Sequence, residues 1–340
     1  MSGYNSPSRS DVHVNAPLSN ISLAFVQGEE GFVADKVFSN IPVSKQADAY
    51  FTYDRGEWNR DDMEERQPGT ESAGGTYEVA NTTYYAKVYA LHKDVADQVR
   101  SNADDPINLD AEATRYITNK ALIQRERKWA TTFFAGSVWT YEVDGAATAT
   151  AAASFDPTNA SNNDKVYWND ASSTPIEDVR EGKRYVGEAT GFRPNVMVMG
   201  REVFDTLVDH PDIVGRLDRG QTAGAAKANK DALAALFEVD EVLVMDAIYN
   251  SAEQGQTAVH AFIGGKHALL AYRPASPGLL TPAAGYTFSW TGYLGMSDMG
   301  MRTLRFRMES IRSDRVEIEQ AYDQKLISAD LGYFFEGIVQ

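Results

Sequence analysis

The chain has 340 residues and no cysteine, with 32 Lys and Arg against 48 Asp and Glu, a formal charge of −16. A chain this long buries about three quarters of the surface its unfolded form exposes. It therefore needs neither disulfides nor metal to hold a core, and the absent thiols exclude Cys-type zinc sites, thiol nucleophiles and iron–sulfur ligation. The acidic balance argues against a protein whose main work is gripping phosphate backbones, which requires Lys and Arg to displace counterions.

Residues 1–49 begin Ser-, Asn- and Pro-rich, then carry short apolar clusters such as Ile21, Leu23, Phe25 and Val26, followed by Val37 and Phe38. No helical or strand period persists, so an extended arm is expected, one whose apolar side chains must dock on something. Nothing at this end resembles a signal peptide, and no apolar run approaches the roughly 20 residues of a membrane helix.

Residues 50–85 hold eight acidic residues, three arginines and no lysine, the nearest lysines being Lys45 and Lys87. A strand-like opening (Tyr50, Phe51, Tyr53), turn signals at Gln67-Pro68-Gly69 and Gly74-Gly75, and the β-prone run from Thr82 to Leu91 predict a long hairpin with an acidic middle. Such a hairpin has too little apolar face to be stable alone and should lie on a partner.

The spacing of Leu109, Ala113, Tyr116, Ile117, Leu122, Ile123, Trp129, Ala130 and Phe133 predicts a helix over 106–134. Asp105 would cap it, Pro106 would open it, and Gly136 would close it. Lys120, Arg125, Arg127 and Lys128 would complement the negative end of its dipole. At 1.5 Å per residue it would be about 40 Å long.

Residues 137–175 look loop-like, with a hairpin signal at Asp144-Gly145. From 175 to 273 the pattern is α/β. Helices are expected at 175–186, around 201–207 and at 233–237, and buried strands at 196–199, 241–245, 258–263 and 268–272, with a Gly/Ala stretch at 220–228. In 284–340 three period-2 runs follow one another: Tyr286, Phe288, Trp290; Leu304, Phe306, Met308; and Val316, Ile318, Tyr322. They predict an antiparallel sheet with one wet face.

A search for chemistry returns little. His13, His92, His210, His260 and His267 stand alone, without helical zinc spacing. Glu181-Gly182-Lys183-Arg184 has a GK pair but neither the upstream Gly nor the following Ser or Thr of a phosphate loop. Gly264-Gly265 is a turn between strands. The stretch from Gly295 to Gly300 around Ser297 has one residue too many for a nucleophile elbow and lies between strands. Asp61, Asp62, Glu64 and Glu65 have the oxygen chemistry of a Ca²⁺ site, but Arg60 and Arg66 bracket them and the run reads as a solvated face. No catalytic, cofactor-binding or metal-ligating residue is assigned. What remains is an arm, an overlong acidic hairpin, a long helix and an embedded α/β unit, parts suited to interlocking with copies of the same chain.

That order resembles the major capsid proteins of tailed phages with the Hong Kong 97-type fold. The resemblance rests on Val37 to Lys45 (VFSNIPVSK) with Tyr50 to Tyr53, on Thr190 to Gly200 (TGFRPNVMVMG), on Leu207 to Leu217 (LVDHPDIVGRL), and on Leu233 to Val239 before Val242 to Met245. It implies an α+β Hong Kong 97-like capsid fold: an N-terminal arm at 1–49, an extended loop at 50–85, a peripheral domain at 86–189 with the spine helix at 106–134, an axial domain at 190–273, and a return to the peripheral sheet at 274–340. It implies a non-enzymatic major capsid protein without cofactors. Such a protein assembles in the host cytoplasm into hexamers and pentamers of an icosahedral virion shell around double-stranded DNA, without sequence-specific binding and without a membrane. It also implies a separate scaffolding protein, since fewer than 40 residues precede Val37, together with a portal and a decoration protein. The lysine-free loop departs from members that crosslink through a loop lysine, so clasping rather than isopeptide formation is expected. Two other readings stay open: an encapsulin-like nanocompartment shell, which shares the fold, and a soluble α/β enzyme acting through 190–273.

Overall fold

A computed structural model describes residues 27–53, 55–102, 108–218, 229–278, 281–293 and 296–340. Asp54, Asp105, Pro106, His13 and the 220–228 stretch lie outside them. Among the described residues a 3-10 turn (Glu29–Gly31) comes first, followed by a single turn of helix, α1 (Ala34–Val37), and β1 (Ser39–Val43). The expected hairpin forms between β2 (Ala47–Tyr53) and β3 (Val79–Tyr85), in antiparallel register from Ala47 opposite Tyr85 to Tyr53 opposite Val79. A short helix, α2 (Arg55–Trp58), follows β2. The strand expected from Thr82 to Leu91 is broken at Ala86, whose N–H bonds the Gln46 carbonyl at 2.8 Å. After it β4 (Lys87–Ala96) joins a different sheet. Uniform β propensity across this run carries no mark of that change of partner.

After α3 (Asp97–Arg100) comes the long helix α4 (Leu109–Phe133). Its N-cap is Asn108, whose side chain accepts the Ala111 N–H at 3.1 Å. The helix ends at Phe133, before Gly136. Its first half lays Ala113, Ile117 and Ala121 against Val95, Val316 and Ile318. Its last turns bury Trp129, Ala130 and Phe133. Tyr116, expected on the apolar face, is half exposed.

Residues 137–175 are not all loop. They contain β5 (Tyr141–Ala146) and β6 (Asp164–Val166), and Asp144-Gly145 is no hairpin turn but the middle of a strand that runs parallel to its partners. Gly145 is there because the backbone of residue 337 passes close by: a Cβ would stand 2.2 Å from the Gly337 carbonyl oxygen. Then follow α5 (Pro175–Thr190), β7 (Val196–Gly200), α6 (Arg201–Val208), α7 (Pro211–Asp218), α8 (Lys230–Phe237), β8 (Glu241–Met245), the small ribbon β9 (Ile248–Asn250) and β10 (His260–Phe262), and β11 (Ala268–Ala271). The last stretch supplies β12 (Gly285–Trp290), β13 (Met301–Met308), β14 (Ser313–Leu326) and β15 (Gly332–Glu336).

Two sheets organise the molecule. The six-stranded sheet has the order β6-β5-β15-β11-β7-β8. Both faces of its middle are covered, which is why β7, β8 and β11 are continuous apolar runs. Met197, Met199, Val242 and Val244 face α5 to α8; Val196, Val198, Leu243 and Met245 face the other way, into the core shared with Trp129 and Phe133 of α4. The boundaries expected at 189/190 and 273/274 do not hold. This sheet takes β5 and β6 from before residue 190 and a central strand, β15, from after 273.

The five-stranded sheet runs β1-β12-β14-β13, with β4 on the other side of β14. It is mixed rather than antiparallel, because β1 lies parallel to β12. β12 is buried on both faces, so the alternation of Tyr286, Phe288 and Trp290 does not mark a wet side. The other two runs do not share a face either. Val316 pairs with Arg305, which puts Leu304 opposite Glu317 and Phe306 opposite Arg315. Directly opposed residues point the same way, so the apolar residues of β13 face away from α4 while Val316 and Ile318 face toward it.

Candidate assembly surfaces

The arm is anchored where α4 meets both sheets. Phe38, fully buried, sits with its ring centre 5.7 Å from Trp129 and 4.9 Å from Phe133. It rests on the backbone of Gly285, where a Cβ would be 2.3 Å from the ring. Next to it are two charged residues of α4 that are 2% and 1% exposed, Arg125 and Glu126. Arg125 is not the dipole complement expected of it. Its Nε donates to Asp35 Oδ1 at 2.7 Å, its Nη1 to the Met299 carbonyl at 3.2 Å, and its guanidinium lies 4.7 Å from the Tyr322 ring centre. The Glu126 carboxylate accepts the Val33 N–H at 3.0 Å on both oxygens and the Ala34 N–H at 2.9 Å. Burial pushes its carboxyl up to about 7, against the downward pull of those two donors. Burial likewise raises Asp35, opposed by Arg125.

The same segment is tied to the six-stranded sheet. Arg273 donates to the Lys36 carbonyl and pairs with Glu241 at 2.9 Å. The Gln27 side chain bonds both the N–H and the C=O of Ile248, at 2.8 and 2.7 Å. Residues 27–43 are therefore part of the folded core. The arm expected over 1–49 is shorter than that on its C-terminal side.

The hairpin has a packed root and an uncovered end. At the root the Tyr84 ring stacks on Phe288 at 4.6 Å, with Tyr50 5.3 Å from Phe288. The Tyr85 N–H bonds Asp323 at 3.0 Å. Farther out, Tyr53, Trp58 and Tyr77 cluster with ring centres 5.6 to 6.2 Å apart, and Arg55 pairs with Asp330 at 2.7 Å. Every residue from 58 to 83 is exposed. Arg60 pairs back to Glu57 at 2.9 Å. Asp61, Asp62, Glu64 and Glu65 make no ion pair among the described residues, and no described group of three or more candidate ligands could hold a metal.

The reverse charge pattern occurs on α4 and its neighbour β4. Lys93, Arg115, Lys120 and Arg127 make no ion pair among the described residues. The ammonium groups of Lys93 and Lys120 lie 5.8 and 5.7 Å from the Tyr116 ring centre, and Arg127 lies 4.7 Å from that of Tyr249.

The chemistry-bearing residues named from the sequence stay apart. His92 and His260 are exposed on strands β4 and β10. His267 is partly buried against Phe334 and accepts the Gly337 N–H at Nδ1, 3.0 Å away. Lys183 is buried and donates to the Phe237 and Glu238 carbonyls at 2.9 and 2.6 Å, so the GK pair caps a helix end. Gly264 and Gly265 form the turn after β10, packed against Gly200. The structure does bring together one pair that spacing could not reveal, Ser173 Oγ and His210 Nε2 at 3.0 Å. His210 Nδ1 accepts the Asp212 N–H at 3.1 Å, so the neutral ring carries its proton on Nε2. That nitrogen then donates, to Ser173 and to the Asp170 carbonyl at 3.2 Å, and is not a base for the serine.

Comparison with known proteins bears on the open readings. The profile of the family described as "Phage major capsid protein E" matches residues 118–284. A relative named "Major capsid protein" from Pseudomonas phage JBD67 is 26% identical over 329 residues, covering 96% of this chain and 97% of its own length. In sequence, this chain is similar to phage major capsid proteins along almost its whole length. The fold is Hong Kong 97-like, α+β. The capsid structure of cyanophage P-SCSP1u superposes with a TM-score of 0.60 at 10% identity, covering 98% of this chain and 99% of that one. The SrpI encapsulin of Synechococcus elongatus superposes at 0.56 and 10% identity, with 95% of each chain covered. The fold is thus common to phage shells and an encapsulin; the sequence relationship points to the phage proteins.

Proposed function

We propose that this chain is a major capsid protein, assembling through its arm and acidic hairpin into the hexamers and pentamers of an icosahedral phage head that encloses double-stranded DNA. The observation that carries the reading is the exposed acidic loop. A 26-residue stretch, 58–83, is exposed throughout, and its carboxylates make no ion pair among the described residues. A segment like this gains its contacts from a neighbour. Each contact is modest, at about 25 cal/mol per Å² of apolar area. Overlapping arms and loops in a closed shell raise the effective concentration of every one.

On this reading the six-stranded sheet with α5 to α8 is the axial domain, and α4 with the five-stranded sheet is the peripheral domain. Working partners are other copies of the chain, a separate scaffolding protein, a portal, and a decoration protein where the shell is reinforced. Assembly takes place in the host cytoplasm, and DNA is enclosed without sequence-specific binding. The −16 charge suits a wall that does not adhere to the DNA it encloses. Negative-stain imaging of the purified protein tests the proposal. Closed shells are expected; a small monodisperse oligomer would overturn it, and shells carrying an enzyme instead of DNA in the native particle would favour the nanocompartment.

The acidic loop also makes a prediction about charge. Its expected counterpart on a neighbour is basic, and the unpaired Lys93, Arg115, Lys120 and Arg127 supply such a surface. Reversing Asp61, Asp62, Glu64 and Glu65 to Lys is expected to weaken assembled shells, most strongly at low ionic strength, where screening is least. Disassembly in denaturant at two salt concentrations measures it; identical midpoints for both proteins would count against the contact.

A further inference from the structure

Glu126 stands out among the buried ionisable groups because the arm itself buries it. Its carboxylate lies in the seam between α4 and the α1 turn, closed over by Val33 and Ala34. The charged groups that face it are known for each element around the seam. On α1, Asp35 repels its charge and Lys36 favours it. On α4 itself Arg125 is already engaged with Asp35. From the six-stranded sheet side, Arg273 bonds the Lys36 carbonyl and pairs with Glu241, and Asp246, beside Gly31, pairs with Arg201. Among the described residues none of these groups forms an ion pair with Glu126, and Lys36 acts on it only at longer range. An ionised carboxylate there keeps its backbone donors but loses its water.

We propose that Glu126 makes docking of the arm segment proton-linked, so that raising the pH through neutrality loosens residues 33–36 from α4. The direction follows from linkage. In the docked state burial raises the carboxyl to about 7, while with the segment lifted away it returns toward its ordinary 4.5. Docking therefore takes up a proton between those values. Its contribution is fully present at low pH and is lost as the pH rises through 7. Between about pH 6 and about pH 8 the docking equilibrium weakens about tenfold. The device concerns one chain's own arm, so it is measured on the unassembled subunit and stands independently of shell formation. In a shell it would make the grip on every arm sensitive to the same proton.

Amide hydrogen exchange at Val33 and Ala34 in the full chain tests it. After correction for base-catalysed intrinsic exchange, protection should fall about tenfold between pH 6 and pH 8. In Glu126→Gln it should change by less than about twofold, because the carboxyl that the docked segment seals is gone. Equal behaviour of the two proteins would overturn the proposal. Titration of the Glu126 carboxyl in the unaltered chain by isotope-edited infrared spectroscopy gives a second reading that needs no variant to fold. A midpoint near neutrality supports the linkage, and one in the ordinary carboxylate range removes it.

Discussion

Removing residues 1–26 is expected to leave a folded subunit that no longer closes into shells. The boundary comes from where the core begins. Gln27 already bonds Ile248 on both its backbone groups, Gly31 packs against Asp246 and Ala247, and Val33, Ala34, Val37 and Phe38 are buried. A cut before Gln27 spares all of these contacts. What it removes is apolar material, Ile21, Leu23, Phe25 and Val26 among it, which on the proposed function docks on a neighbouring subunit. Circular dichroism and a thermal melt check that the subunit still folds. Sedimentation and negative stain check for particles. Normal shells from the shortened chain would refute the role of the arm in clasping, while loss of the fold would mean that the core extends further toward the N-terminus.

Phe38→Ala should be the most damaging single substitution in the same region, destabilising the subunit by about 3–5 kcal/mol. The ring is wedged between Trp129, Phe133 and the bare backbone of Gly285. A backbone and two aromatic rings held by α4 cannot collapse into the space a lost phenyl leaves. The cost of truncation rises with how little a site can relax. Phe38 also connects the two sheets, since Gly285 belongs to β12 and its cluster includes Val196, Val198 and Leu269 of the six-stranded sheet. Urea unfolding of the unassembled subunit measures the effect. A midpoint within error of the unaltered protein would show that the segment is peripheral to the fold.

Both predictions turn on residues 27–43, which local pattern placed with the arm. The sequence shows short apolar clusters there and no period. It cannot show that the clusters have a site on their own chain. Gly285 looks like any strand glycine until the ring that lies on it is seen. Arg125 and Glu126 illustrate the same limit. On the helical pattern they are an ordinary charged pair near the end of a long amphipathic helix. Only the position of α1 across that end turns one into a buried ion pair and the other into a carboxylate holding two backbone N–H groups.

Other features were legible because they are local. The helical period of α4, the amphipathic runs of α5, α6 and α8, the apolar runs of β7, β8 and β11, and the turn-rich acidic stretch between β2 and β3 each follow from a few neighbouring residues. The resemblance to tailed-phage capsid proteins came from the order of these elements, and order is a property of sequence. The errors share one cause. The chain change at Ala86, the parallel strand through Asp144 and Gly145, the mixed sheet around β12, the outward face of β13 and the crossing of β15 into the other sheet are all decisions about which strand pairs with which, and in what register. Propensity and period say that a segment is a strand and which of its residues alternate. They do not say which partner it meets, because that depends on contacts hundreds of residues away. By itself, then, the sequence determined the elements, their order and an acidic, lysine-free hairpin suited to non-covalent clasping. Tertiary structure alone decided that the base of the arm is core, and that a single glutamate is sealed beneath it, because both depend on long-range packing that no local window contains.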